Sequence, residues 1–167
     1  MKLLSGKSFV AAVAAVAGTF WLVEAKKPGK TEGEAFMKEI VKEDGVTVLP
    51  SGLAYKVLRQ GEGKFHPTKD SPCDCHYRGT LVDRKTEFDS SYKRGQPTTF
   101  APNQVIAGWT EAMQLMVEGD KWEMYIPPNL AYGSRSMGND LPAHSTLIFE
   151  MEIIKIKGDK VPSKEEL

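Results

Sequence analysis

The sequence has few cysteines and no excess of charge of either sign. Two cysteines among 167 residues cannot form a disulfide framework for the fold. The 22 basic residues balance the 22 acidic ones, so the chain lacks the net positive charge with which proteins attract nucleic-acid phosphates. With 41% apolar and 26% charged residues, the composition is that of an ordinary globular protein and does not indicate binding to nucleic acid.

Motifs for covalent catalysis, phosphate binding and metal binding are also missing. The sequence has no Gly-x-Ser-x-Gly motif and no glycine-rich phosphate loop, and His66, His76 and His144 lack metal-ligand spacing. We therefore expect neither a metal nor a cofactor. Cys73 and Cys75 lie two residues apart in a predicted strand, where their Cα atoms would be about 6.6 Å apart with nearly parallel Cβ vectors. We predict that both are buried free thiols.

The longest apolar run, Phe9–Val23, is too short for a comfortable membrane span. At about 1.5 Å per residue its length as a helix is roughly 22 Å, less than the roughly 30 Å of a hydrocarbon core. Two lysines precede the run and small residues follow it, which is typical of a signal peptide. We predict a signal peptide over 1–25, with cleavage after Ala25 or alternatively after Ala17. A permanent membrane span is the other interpretation; after cleavage, we expect no membrane association.

The last four residues, Lys164-Glu165-Glu166-Leu167, leave two destinations open. The tetrapeptide is close to the sequence that retains proteins in the endoplasmic reticulum lumen, but solvated Lys/Glu tails are also common at chain ends. Ordinary secretion is the favoured prediction, with retention in the lumen as the alternative. Residues 159–167 are treated as a polar tail.

Residues 26–48 are predicted to be a linker followed by one helix. Thr31 and Glu34 have the spacing of a capping box, an apolar stripe follows over 36–41, and Asp44-Gly45 is a stop signal. A helix of about thirteen residues is marginal in isolation, so it must pack on its own domain or on a partner chain.

From Leu49 onward, the hydrophobic period changes to two, which is typical of an antiparallel sheet. In the last predicted strand, alternate residues from Leu147 to Ile153 are apolar, which indicates one buried face. A short amphipathic helix around Trp109 to Met116 has the spacing to pack across that face. The predicted fold class is α+β, one antiparallel sheet around one short helix. The predicted strands are Ala54–Arg59, Cys73–Val82, Thr98–Phe100, Lys121–Ile126 and Leu147–Ile156.

Four motifs make the sequence similar to a known family. They are His76-Tyr77-Arg78-Gly79, Phe88-Asp89-Ser90-Ser91, Val-Ile-x-Gly-Trp with Glu111 and Ala112 (105–112), and Ile126-Pro127-Pro128-Asn129-Leu130-Ala131-Tyr132-Gly133. In this order and spacing they resemble the tacrolimus-binding, or FKBP-type, peptidylprolyl isomerases. The resemblance runs from about Ser51 to Ile156. Leu-Pro-Ser-Gly-Leu-x-Tyr-Lys-Val (49–57), Ser91-Tyr92-Lys93-Arg94-Gly95 and Gln114-Leu115-Met116 are similar to the secreted macrophage infectivity potentiator (Mip) proteins of pathogens.

The resemblance implies a half-barrel isomerase domain over 49–158, with an N-terminal helical extension, that rotates X-Pro bonds in proteins. Trp109 would form the floor of the proline pocket; the Ile106 amide and the Tyr132 hydroxyl would bind carbonyl oxygens, and Asp89 would act on the amide with support from Arg94. Expected partners are proline-containing peptides and tacrolimus-type macrolides, and we expect a monomer because the N-terminal helix is short for a dimerisation module. The walls of the pocket would be Tyr77, Phe88, Phe100, Val105, Ile106, Leu141 and Phe149.

Two departures from the family pattern concern the edge of this pocket. Thr98 stands where many relatives have an aromatic residue, and Asp140-Leu141-Pro142-Ala143 replaces a more common Ile-Pro-Pro pattern beside the lid loop, residues 134–140. Phe100, on the same strand face as Thr98, is expected to close the gap. Three interpretations remain: a secreted isomerase, which we favour, a binding module that keeps the fold, and a sheet domain without a site.

Overall fold

A computed structural model describes residues 26–162. The main sheet has seven strands, all paired antiparallel, in the order β1-β2-β7-β8-β4-β5, with β6 also pairing with β4. A second, two-stranded sheet joins β3 and β9. The strands are β1 Val46–Val48, β2 Ala54–Arg59, β3 Phe65–Pro67, β4 Cys73–Leu81, β5 Glu87–Ser90, β6 Thr98–Phe100, β7 Lys121–Ile126, β8 Leu147–Ile156 and β9 Lys160–Pro162.

The inner face of the sheet packs around the short helix α2, Ala107–Met113. Trp109, Ala112 and Met113 on this helix are buried in one core cluster with Tyr77 of β4 and Phe149 of β8. Alternate residues of each strand point to the same face, so Tyr77 joins Cys73 and Cys75 of β4 in this cluster and Phe149 joins Leu147 and Met151 of β8. The predicted α+β architecture is thus confirmed, as are the prediction of one short helix across the inner face and that of buried free thiols at Cys73 and Cys75.

The outer face of the sheet is covered at one place by α1, Lys30–Ile40. Ile40 is buried in a second cluster with Ala54, Tyr125 and Ile148, whose side chains point away from the main core. The ring centroid of Phe36 lies 5.8 Å from that of Tyr125. The helix therefore docks on its own domain, and the prediction that only one sheet face is buried was incomplete.

The predicted ends of α1 were wrong at both termini. The helix begins after Gly29, whose N–H donates to the Glu32 carboxylate at 3.0 Å, so Glu32 rather than Glu34 supplies the capping contact. It ends at Ile40, and a turn leads to Gly45 at φ +80°. The position of the helix matches its tertiary packing. Gly33 lies against Thr146, where an added Cβ would be 2.6 Å from the threonine Oγ1.

Four short strands were missed by the sequence reasoning: β1, β3, β5 and β9. Each has three or four residues, over which a period of two gives only a weak signal. β1 lies within 26–48 and pairs with β2, and β9 lies within 159–167 and pairs with β3. The segments on either side of 49–158 therefore contribute strands to the two sheets.

Candidate functional site

A cavity of about 420 Å³ opens at the N-terminal end of α2. Its lining brings together residues that are up to 72 positions apart in the sequence, from Tyr77 to Phe149. Nine of the predicted site residues meet here: Tyr77, Phe88, Asp89, Phe100, Val105, Ile106, Trp109, Tyr132 and Phe149.

Trp109 lies at the centre of the aromatic cluster in this cavity. The centroid of its ring is 4.7 Å from that of Phe149, 5.0 Å from that of Tyr77 and 5.2 Å from that of Phe100. The Phe149 and Tyr77 rings are nearly perpendicular to the indole, which is the edge-to-face geometry that aromatic rings favour. These contacts fix Trp109 as a rigid apolar surface, 5% exposed.

The strand β4 carries a glycine where two aromatic walls meet. A Cβ at Gly79 would lie 2.5 Å from the Phe149 ring and 2.7 Å from the Phe88 ring. Phe88 and Phe149 themselves pack edge to face with their centroids 5.4 Å apart. Gly79 therefore permits the close approach that closes this side of the cavity.

A hydrogen-bonded triad forms the polar rim. The Tyr77 hydroxyl donates to Asp89 Oδ2 at 2.8 Å, and Arg94 donates to Asp89 Oδ1 at 2.5 Å and to the Tyr77 oxygen at 2.6 Å. Arg94 also reaches Thr98 Oγ1 at 3.3 Å and lies over the Tyr77 ring, with its guanidinium carbon 5.4 Å from the centroid. The residue that departs from the family pattern, Thr98, thus contacts the arginine of this triad.

These contacts fix the protonation states around the cavity. Burial raises the pKa of Asp89, but hydrogen bonds from Arg94 and Tyr77 and the charge of Arg94 outweigh it, so the pKa lies below its usual value. Burial raises the pKa of Tyr132, and the Asp89 charge adds to that rise. At neutral pH the rim therefore presents one carboxylate, and Tyr132 keeps its proton as a hydrogen-bond donor.

The segment before α2 supplies a main-chain donor. Ile106 is the N-cap of α2 and its carbonyl accepts from Thr110 N at 3.0 Å. N–H groups at a helix N-terminus have no acceptor within the helix, so the Ile106 amide lacks an intrahelical partner. Gln104, in the 3-10 turn Pro102–Gln104, also lines the cavity and was missed, because no hydrophobic period or family motif marked it.

Leu141 packs in the same core cluster as Tyr77, Trp109 and Phe149 but behind the cavity surface. It is buried in the main core and does not line the cavity. Its carbonyl accepts from Met137 N at 2.9 Å, which closes the lid loop. Arg94 also lies outside the lining and acts on the cavity through Asp89 and Tyr77.

Residues 63–154 match the model of the FKBP-type peptidyl-prolyl cis-trans isomerase family, and residues 6–57 match that of the domain amino terminal to such isomerases. The chain belongs to the FKBP-type peptidyl-prolyl cis-trans isomerase family. Several curated relatives are named as peptidyl-prolyl cis-trans isomerases, which places this chain in a family of enzymes. The resemblance identified in the sequence is thereby confirmed.

The relatives of this FKBP-type chain include macrophage infectivity potentiators. The "Macrophage infectivity potentiator" of Trypanosoma cruzi is 48% identical over 139 residues, which cover 83% of this chain and 70% of the relative. The "Outer membrane protein MIP" of Legionella longbeachae is 46% identical over 128 residues, 77% of this chain and 54% of the relative. The chain spans about half the length of the curated bacterial relatives it matches.

Solved structures show the same fold. The crystal structure of FkpA from Escherichia coli has a TM-score of 0.73 and 38% identity and covers 78% of this chain and 60% of that one. A peptidyl-prolyl cis-trans isomerase from Pseudomonas syringae has a TM-score of 0.70 and 34% identity, covering 77% and 92%. Within residues 26–162 no helix is long and apolar enough to cross a membrane, and no group of three His, Cys, Asp or Glu is placed to hold a metal ion. The predicted signal peptide and the terminal tetrapeptide lie outside the described residues.

Proposed function

We propose that this protein accelerates cis-trans isomerisation of X-Pro bonds in secreted or envelope proteins without covalent catalysis. The observation that carries the proposal is the juxtaposition of a rigid aromatic floor, Trp109, with two hydrogen-bond donors and a single carboxylate around one apolar cavity. Rotation about the amide breaks no covalent bond; it must cross a barrier of roughly 18–20 kcal/mol that arises from resonance. A nucleophile is therefore unnecessary.

The apolar lining favours the twisted amide over the planar one. A twisted amide has lost resonance, so its carbonyl is less polar and needs water less than the planar ground state does. Desolvation of an amide costs roughly 2–7 kcal/mol, and only part of this cost applies to the twisted form. An acceleration of about 10⁴-fold requires roughly 5–6 kcal/mol, at 1.36 kcal/mol per tenfold. Burial on Trp109 together with one or two hydrogen bonds can supply that amount.

The donors hold the peptide while the bond rotates. We assign the Ile106 amide and the Tyr132 hydroxyl to carbonyl oxygens of the bound peptide. Asp89 keeps its negative charge at neutral pH because its pKa is low, and it faces the rotating amide from the rim. Arg94 and the Tyr77 hydroxyl hold that carboxylate in place.

The test compares two buried tryptophans in an assay with an X-Pro peptide, read by coupled proteolysis or by the refolding of a proline-limited protein. Trp109 lines the cavity, whereas Trp122 packs in the same core with its ring stacked 4.0 Å from that of Tyr55. Trp109→Leu and Trp122→Leu each replace a large buried ring by a smaller apolar side chain. Both should lower the free energy of unfolding, by at most about 3–5 kcal/mol.

Under conditions where both variants are folded, only Trp109→Leu should lose isomerase activity. If the wild-type chain has no activity, the proposal is wrong, and the interpretation as a binding module with the same fold remains. Equal activity losses in the two variants would show that the cavity is not the site.

The same cavity should bind tacrolimus-type macrolides, because a preformed apolar cleft with few polar groups suits a drug-sized ligand. Tacrolimus titrated against the full chain should abolish isomerase activity, and activity that persists at saturating drug would contradict this part of the proposal.

Secretion and a monomeric state complete the proposal. The apolar run before residue 26 and the outer-membrane name of one relative support an exported protein, whereas these relatives give no support to retention in the endoplasmic reticulum. Within the described residues, α1 has its apolar stripe covered by its own domain, which leaves it little apolar surface for a dimer. Light scattering at micromolar concentration should therefore give the monomer mass; a dimer mass would overturn this.

A further inference from the structure

The lid loop is tied to the segment that carries Tyr132. The loop begins directly after this segment, and Arg135 N donates to the Tyr132 carbonyl at 3.1 Å. Four residues beyond the far end of the loop, His144 N donates to the Gly133 carbonyl at 2.8 Å. The position of the loop and that of the Tyr132 side chain are therefore linked through the main chain.

The N-terminal linker reaches the tip of this loop. Lys27 Nζ donates to the Asn139 carbonyl at 2.6 Å and to Asp140 Oδ1 at 2.7 Å. The contact joins residues 112 and 113 positions apart, with 34% of the Lys27 side chain and 62% of that of Asp140 exposed. Asp140 is one of the residues that depart from the family pattern, and Lys27 is its partner.

A fixed element holds Lys27 in position. Gly29, two residues later, is the N-cap of α1. The helix is docked on the domain at Thr146, six residues beyond the lid loop, where Gly33 packs so closely that an added Cβ would lie 2.6 Å from the threonine Oγ1. Burial of Ile40 holds the far end of the helix on the sheet. Lys27 therefore extends from a docked helix and not from a free tail.

We propose that Lys27 is a positioning residue of the isomerase site, which holds the lid loop through Asn139 and Asp140 and thereby fixes the Tyr132 hydroxyl. The inference rests on the proposed function, because it assigns the effect to peptide turnover. A loop that is ordered before the peptide arrives has less conformational entropy to lose on binding. The lysine itself does not touch the peptide.

The first experiment introduces Lys27→Ala in the full chain and measures isomerase kcat/KM and the amide hydrogen exchange of residues 134–140. We expect kcat/KM to fall about two- to five-fold, the range that an exposed ion pair supports, and the exchange of the loop to rise. Lys27→Arg should restore both, because a guanidinium can donate to the same two oxygens.

Two lysines in the same region serve as matched controls. Lys30 pairs with Glu34 at 3.9 Å and Lys42 with Glu39 at 2.9 Å, both within the helix region and away from the lid loop. Lys30→Ala and Lys42→Ala should leave kcat/KM and loop exchange unchanged. A loss of the same size in these variants would show that Lys27 acts only through net charge or helix stability, which would overturn the proposal.

A double-mutant cycle tests the route through Tyr132. If Lys27 acts by fixing the tyrosine hydroxyl, Lys27→Ala should cost kcat/KM much less in a Tyr132→Phe background than in the wild type. Equal losses in the two backgrounds would refute that route, and an unchanged kcat/KM in the single variant would refute the positioning role.

Failure of the proposed function and failure of this inference can be distinguished. If the wild-type chain has no isomerase activity, the proposed function is wrong. Unchanged hydrogen exchange of the loop in Lys27→Ala would separately refute the anchoring of the lid loop by Lys27.

Discussion

Replacing Tyr132 by Phe removes one hydroxyl and nothing else from the proposed site. Among the described residues this hydroxyl has no hydrogen-bond partner, whereas that of Tyr77 is bonded to Asp89. Its pKa is raised by burial and by the Asp89 charge, so it is a neutral donor at neutral pH. We therefore expect Tyr132→Phe to lower turnover with little effect on the free energy of unfolding.

The expected magnitudes follow from this separation. A single hydrogen bond to the bound peptide contributes about 0.5–1.5 kcal/mol, so Tyr132→Phe should lower kcat/KM by roughly a factor of two to ten. No intramolecular hydrogen bond to a described residue is lost in the free protein, so the free energy of unfolding should change by no more than about 0.5 kcal/mol, as for other mild substitutions.

Tyr125→Phe is the matched control. Tyr125 is buried under α1, outside the cavity, and its hydroxyl donates to Glu123 Oε1 at 2.6 Å, a carboxylate that Arg84 also binds. Loss of a bond to a charged acceptor should cost about 1.5–3 kcal/mol of stability and leave turnover unchanged. Denaturant unfolding and the X-Pro assay on both variants check this pair of expectations. Full activity of Tyr132→Phe would refute the assigned hydrogen bond.

Three further expectations concern the rim and the walls. Asp89→Leu should lower kcat/KM by about tenfold or more, because it removes the carboxylate and the ion pair with Arg94. Full activity of this variant would mean that Asp89 has only a structural role. Because its pKa lies below the usual value of about 3.9, the stability that Asp89 contributes is present above that pH and is lost as the pH falls through its folded pKa. Activity should therefore be flat from about pH 5 to 9, and an inflection within that range would contradict the assignment of Asp89 as the charged group of the rim. Gly79→Ala should destabilise the fold by about 1–3 kcal/mol and weaken peptide binding, because the added Cβ would push against Phe88 and Phe149. Denaturant unfolding and peptide titration check this. Unchanged stability and affinity would contradict the described packing of this wall.

The long, alternating elements were predictable from the sequence and the short ones were not. β7 and β8 begin and end where the period of two indicates, because each buries alternate side chains against the core. β5 has four residues and was missed, whereas the three-residue β6 was predicted, with Thr98 and Phe100 on one strand face. The predicted start of α1 relied on the local capping motif at Thr31. The helix instead begins after Gly29, in the position where Gly33 packs on Thr146.

Most residues of the candidate site were identified through family motifs, and the structure shows why the others could not be found in this way. Gln104 lines the cavity only because a 3-10 turn brings it to the entrance of α2. Leu141 is apolar and adjacent to the lid loop, and only the folded structure shows that its side chain is buried in the core and not on the cavity surface. Contacts between distant segments, such as Lys27 with Asp140, have no local signal in the sequence.

The pairing of β1, β2 and β7 sets a lower limit on the fragment that can fold. The isomerase family match runs from residue 63 to residue 154, so it omits β1 and β2 and stops inside β8. A fragment with those limits would turn β7 into an exposed edge strand and uncover Tyr125 and Ile148, which α1 buries. Exposed edges and apolar patches promote association between chains. The folding unit is thus longer than the enzyme family match, and fragments trimmed to that match should aggregate.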